Sequence, residues 1–164
     1  MAINDKFIVP AQAAGFISLL GQITKNSDST LSIPEGMINI GGNSYGYLIQ
    51  SVASFNPITP GNNDGSFSAL TLGDDIYIYA CQNSSGIATL IASKNATAPT
   101  GYTTTTSRKL GGFHVGRIRP YASKFDTAYA PTTDIVKNSV WDLKHRPRCS
   151  PEGMAEIKPG LWGC

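Results

Sequence analysis

Turn-forming residues interrupt this chain too often to leave room for long helices. Seventeen glycines and ten prolines fall in short clusters along its 164 residues, with only short apolar runs between them. That pattern belongs to chains of many strands. Gly36–Ile40, the turn Gly41-Gly42-Asn43 and Tyr45–Gln50 read as a hairpin whose turn residues accept positive φ. Asn56–Gly65 (NPITPGNNDG) cannot sustain a ladder and reads as a loop. Ser66–Leu72 and Asp75–Cys81 read as strands. In the second, Ile76, Ile78 and Ala80 point one way and Tyr77 and Tyr79 the other. Both faces are bulky, which predicts a central strand of a packed sheet. Asn83–Gly86 is a tight turn and Ile87–Ser93 the returning partner; Lys109–Arg119 and Ser139–His145 are further strands, joined by a polar connector over Tyr121–Asp134. Gly111-Gly112 within a strand predicts a bulge or a close backbone approach. About seven or eight short strands with regular turns predict an all-β fold, an antiparallel β-sandwich.

The two ends read differently. Pro10 suits a first helical turn, and Ala13, Phe16, Ile17 and Leu20 share one helical face, although FISLLGQI also reads as a buried strand. The preferred reading is an N-terminal attachment arm over residues 1–30 carrying a short helix, followed by a sandwich domain over 31–164. An apolar element on such an arm must dock on its own domain, a neighbouring subunit or a larger assembly. At the other end, Ile157–Gly160 makes a turn, and Leu161–Cys164 either pairs as the last edge of the sheet or leads into a C-terminal domain.

Composition narrows the partners. Charged residues are 15% of the chain, below the usual ~25%, so the polar surface rests on Ser, Thr, Asn and Gln. A net charge of +2 gives no reason to expect nucleic acid. No apolar run approaches the ~20 residues of a membrane span, and no basic flank precedes an apolar leader. The three cysteines, Cys81, Cys149 and Cys164, have no repeated spacing and read as free thiols. The sequons at Asn83 and Asn95 read as turn chemistry.

No catalytic constellation emerges. Asp74 and Asp75 are adjacent and face opposite sides of a strand, while Asp64, Asp126, Asp134, Asp142 and Glu152 are scattered. A glycosidase needs two carboxylates across one cleft, and spacing alone does not supply them. His145 and Cys149 are separated by a helix-breaking Pro147, and His114 lies far upstream, which disfavours a metal site. There is no nucleophile elbow and no phosphate-binding loop. The expectation is therefore no catalytic, cofactor-binding or metal residue, no cofactor, and binding residues left unassigned. Trp141 and Phe113 read as core residues. Residues 101–150 hold nine of the thirteen basic side chains, among them Arg108, Lys109, Arg117, Arg119, Lys144, Arg146 and Arg148. A solvated strand face is the favoured reading of that cluster.

Two segments carry more than composition. Ala98–His114 (APTGYTTTTSRKLGGFH) and Asn138–Met154 (NSVWDLKHRPRCSPEGM) resemble the phage major tropism determinant family. The resemblance rests on Ala98, Pro99, Thr100, Gly101, Tyr102, Arg108, Lys109, Gly111, Gly112, Phe113 and His114. It continues through Trp141, Asp142, Lys144, Arg146, Pro147, Gly153 and Met154, covering roughly residues 95–164. It implies the intermediate β-sandwich of a trimeric receptor-binding protein, which in that family stands between an N-terminal β-prism and a C-terminal C-type-lectin-fold domain. Residues 1–50 do not resemble the β-prism, and the lectin-fold domain is not among these residues. What the resemblance implies is thus a virion protein of the tail fibre or baseplate, made in the host cytoplasm, which holds a distal receptor-binding element. It further implies a homotrimer, with the arm docked on other tail or baseplate proteins. One alternative is a carbohydrate-binding module acting directly on host glycan or lipopolysaccharide through exposed Tyr45, Tyr47, Tyr121 or Tyr129. The other is a tail-borne polysaccharide hydrolase.

Overall fold

A computed structural model describes residues 7–8, 15–42, 45–116, 132–147 and 150–163. The strands are Phe7–Ile8 (β1), Ile17–Leu19 (β2), Thr24–Lys25 (β3), Leu31–Ile33 (β4), Gly36–Asn39 (β5), Tyr45–Ile49 (β6) and Val52–Phe55 (β7). They continue with Asp75–Cys81 (β8), Thr89–Ser93 (β9), Ser107–His114 (β10), Trp141–Asp142 (β11), Ala155–Lys158 (β12) and Leu161–Gly163 (β13). The sheets run β1-β6-β5-β2, β3-β4-β7, β11-β10-β8-β9 and β12-β13. Their ladders are antiparallel.

One buried cluster joins Leu19, Ile33, Ile38, Ile49 and Phe55 from the first two sheets to Ile76, Ile78, Leu110 and Phe113 from the third. This is the core of the expected antiparallel sandwich. β8 lies between β10 and β9 and is covered on both sides. Ile76, Ile78 and Ala80 enter the main core, while Tyr77, Tyr79 and Cys81 form a second cluster with Ile91 and Trp141. The period-two alternation of this strand thus divides two cores. Burying each large apolar side chain contributes roughly 1.5–3 kcal/mol. Against the second core pack Tyr102, Leu143 and Trp162.

The 36–49 hairpin forms with Gly36 opposite Ile49 and Asn39 opposite Gly46. Gly41 and Gly42 take φ of 75° and 69°, as the turn requires, while Asn43 lies outside the described residues. The Asn83–Gly86 turn closes through Gly86 N–H donating to Asn83 O at 3.3 Å.

Four expectations need correction. First, the N-terminal helix is not formed in its described part. Ile17–Leu19 is a strand on β5, and Leu19 is 2% exposed while Leu20 is 73% exposed. In-out alternation is the strand period; the helical face needed Leu20 inside. Second, Ser66–Leu72 is not a strand. Asp64 Oδ1 accepts from both Ser66 N–H and Ser66 Oγ, turning the chain locally in place of a ladder. Third, Ser139–His145 shrinks to β11, because a 3-10 turn occupies Lys137–Ser139 and Asp142 draws back the N–H groups of Lys144 and His145. Fourth, Leu161–Gly163 pairs with β12 in its own hairpin and does not extend a larger sheet. The strand expected over Lys109–Arg119 runs over Ser107–His114. Arg117, Arg119 and the connector up to residue 131 lie outside the described residues.

Candidate functional site: clamps built by the two signature segments

The residues that set this sequence apart converge on β10, β11 and the stretch before β3. At the bulge, the register of β10 against β8 shifts between Lys109 and Gly111. Gly111 and Gly112 then face β11, opposite Asp142 and Trp141. A Cβ on Gly111 would collide with the Trp141 carbonyl oxygen, and one on Gly112 would lie 2.8 Å from Ile76 O and 3.0 Å from Trp141 Nε1. The paired glycines therefore let β11 approach closely and seat Trp141, 4% exposed, in the second core.

Asp142, next to that tryptophan, is 0% exposed. Its Oδ2 accepts from Ile23 N–H at 3.0 Å. Its Oδ1 accepts from Lys144 N–H and His145 N–H, each at 2.9 Å. His145 Nδ1 lies 2.9 and 3.0 Å from the two oxygens. Two cations extend the arrangement. Arg108 Nη1 donates to Phe16 O at 2.9 Å and Asn39 O at 3.0 Å, while Lys144 Nζ reaches Leu19 O at 3.4 Å. Burial lowers the guanidinium pKa below its ordinary value. Three signature residues thus hold residues 16–23 against the sandwich. The basic cluster is not simply a solvated face, since Arg108 reaches across to the first sheet. Lys109 lies with Nζ 3.9 Å from the centroid of the Tyr77 ring.

A second clamp centres on Asp64. Its Oδ1 accepts from Ser66 N–H at 3.0 Å and Ser66 Oγ at 2.5 Å. Its Oδ2 accepts from Ser93 Oγ at 2.6 Å, Thr100 N–H at 2.7 Å and Asn95 Nδ2 at 3.2 Å. One carboxylate thereby ties the loop after β7, the end of β9 and the head of the first signature segment. Burial raises its pKa, but the hydrogen bonds from Ser66, Ser93 and the Thr100 backbone outweigh that and bring it from 3.8 down to about 2. A depressed folded-state pKa gives stability that is present above pH 3.8 and lost as pH falls toward about 2. Chemical-denaturation midpoints across this window are expected to fall more steeply for the native chain than for Asp64→Asn. Parallel profiles would contradict the clamp.

The remaining sequence candidates are accounted for as follows. Asp74 pairs with Lys94 Nζ at 2.7 Å, and Asp75 Oδ1 lies 3.1 Å from His114 Nδ1. These carboxylates, like Asp64 and Asp142, meet donors of their own chain, so the arrangement holds backbone segments together. Among the described residues no three His, Cys, Asp or Glu side chains cluster as metal ligands; His145 rests on Asp142, and Cys149 is outside the described set. Burial pushes the Cys81 thiol up to about 12, which keeps it protonated and unreactive. Phe113 is 2% exposed, in the core as expected. Tyr47 is 4% exposed and so gives the carbohydrate-binding alternative no exposed ring; the Tyr45 side chain, Tyr121 and Tyr129 lie outside the described residues. Sequence reading missed the clamping roles of Asp64 and Arg108. Asp64-Gly65-Ser66 carried a signal, being a side-chain-capped turn pattern. Arg108 carried none.

The comparisons with known proteins agree with this fold. The Mtd second domain family matches residues 21–142. The "Tail fiber receptor-binding protein" of Bordetella phage BPP-1 is 35% identical over 142 residues, covering 85% of this chain and 32% of that protein. Among solved structures, the Major Tropism Determinant I1 variant is 30% identical with a TM-score of 0.64. The M1 variant is 28% identical with a TM-score of 0.65. Each covers 92% of this chain and 37% of the other. This chain therefore spans about a third of the length of the relatives it matches. With the family model matching residues 21–142, more than half of its length, this chain belongs to the Mtd second domain family.

Proposed function

We propose that this chain is a structural part of a phage tail fibre or baseplate that holds a distal receptor-binding element during host attachment. The observation that carries the reading is the family match over residues 21–142, on a fold whose signature residues act as clamps. Support comes from the relative named as a tail fiber receptor-binding protein. In this reading the protein resides in the virion after synthesis in the host cytoplasm, has no enzymatic activity and needs no cofactor. It forms a homotrimer, and its N-terminal segment, residues 1–30, attaches to another tail or baseplate protein. Leu19 and Ile23 are buried at 2% and 1% exposure, so attachment falls to the residues before them. The hydrolase alternative is set aside because Asp64, Asp74, Asp75 and Asp142 are engaged by donors of their own chain.

Antibody raised against the chain is expected to decorate tail tips of the parent phage in electron micrographs. Label confined to the head would refute the assignment. Light scattering on the purified chain is expected to give three times the 17.4 kDa protomer mass. A monomer at high concentration would remove the autonomous trimer.

A further inference from the structure

Residues 150–163 lie over the second core, where Trp162 packs against the cluster of Tyr77, Tyr79, Cys81, Ile91 and Trp141. Their backbone bonds close within the segment. Met154 N–H donates to Pro151 O at 3.1 Å, β12 and β13 pair with each other, and Gly160 N–H donates to Glu156 Oε1 at 2.7 Å. Among the described residues no ladder joins this hairpin to the sheets of the sandwich. Side chains make the attachment. Trp162 supplies apolar contact, and the Glu152 carboxylate faces the Tyr77 hydroxyl and attracts Lys109. Glu152 is exposed, so water and salt weaken that attraction.

Elsewhere the hairpin gains little. Ile157 and Leu161 are 69% and 46% exposed, so the large apolar side chains near its turn contribute little burial. Both outer edges of the β12-β13 pair are without a neighbouring strand among the described residues. A cleft of about 150 Å³, lined by Ile23, Lys25, Lys137, Val140 and Glu156, opens beside β12 and forfeits contacts there. A two-stranded hairpin is at best marginally stable by itself. The sheet beneath is held quite differently. β8 is paired on both sides, and Tyr79 and Cys81 are 0% exposed. Local stability follows buried contacts and backbone pairing, so two parts attached so unequally open at different free energies.

We propose that residues 150–163 form a strap, fastened chiefly by Trp162, that opens as one unit while the sandwich stays folded. Opening bares the part of the second core that Trp162 covers. The inference stands apart from the tail-fibre assignment and does not need a trimer.

The test is native-state hydrogen exchange of the ¹⁵N-labelled chain, read amide by amide. The paired amides of β12 and β13 are expected to share one opening rate, on the order of a hundredfold faster than the central amides of β8 and β10. Their exchange should also respond less to added urea, because opening the strap exposes less surface than global unfolding. Trp162→Ala is expected to speed exchange in the hairpin by roughly tenfold or more while leaving β8 and β9 as they were. Hairpin amides that exchanged at the β8 rate would mean that strap and sandwich open only together, and the proposal would fall. It would fall equally if those amides showed no protection, since the hairpin would then not be docked at all. Equal acceleration of the hairpin and of β8 in the Trp162 variant would likewise overturn it, by making the two a single cooperative unit.

Discussion

Asp142→Ala is expected to destabilise the fold by roughly 3–5 kcal/mol, the usual cost of removing one partner from a buried charged network. Asp142 is 0% exposed. Its loss leaves the N–H groups of Ile23, Lys144 and His145 without their acceptor. For a chain of this size that loss corresponds to a fall in melting temperature of roughly 6–20 °C. Asp142→Asn is expected to give a smaller loss. Both carboxylate oxygens accept hydrogen bonds, so an amide in either orientation sets its NH₂ against a donor. Urea denaturation separates two consequences. If residues 16–23 detach while the sandwich persists, the denaturant dependence falls along with the midpoint, because less surface remains to be exposed. If the whole fold weakens, the midpoint falls alone. An alanine variant with the native midpoint would show that the carboxylate holds nothing.

The same residue marks where sequence reading stopped working. The two-faced strand β8 and the β5–β6 hairpin were legible because each is specified within a few residues, by period-two alternation and by a glycine turn. The segment around Ile17 was not. FISLLGQI fits a helix face and a buried strand equally well by itself, and its hydrogen-bond partner Asp142 lies 119 residues away. Ser66–Leu72 failed for a different reason. Its apolar pattern suggested a strand, but the Asp64 side chain competes locally for the backbone. Nothing near Arg108 shows whether its guanidinium faces water or the opposite sheet; only the stacking of the sheets decides that. The signature segments marked the family, but their residues act as clamps and spacers.

The spacer role leads to the other large expected effect. Gly111→Ala adds one methyl group at a position where its carbon would meet the Trp141 carbonyl oxygen, with Ile23 Cδ1 at 3.1 Å and Asp142 Cα at 3.2 Å. Two of those three neighbours are backbone and cannot rotate away, so β11 must move off β10. Overpacking of this kind costs typically 1–3 kcal/mol, and occasionally more. Here the displacement also pulls Asp142 from Ile23 N–H and Trp141 from the second core, which places the expected loss at or above about 3 kcal/mol. Non-additivity provides the decisive check. If Gly111→Ala acts by displacing Asp142, then Gly111→Ala with Asp142→Ala will cost clearly less than the sum of the two, with a coupling of roughly 0.5–3 kcal/mol. Equilibrium unfolding of the two single variants and the double variant measures it. Strict additivity would mean that the glycine and the carboxylate stabilise the fold independently, and that the close approach of β10 and β11 does not position the lock on the N-terminal segment.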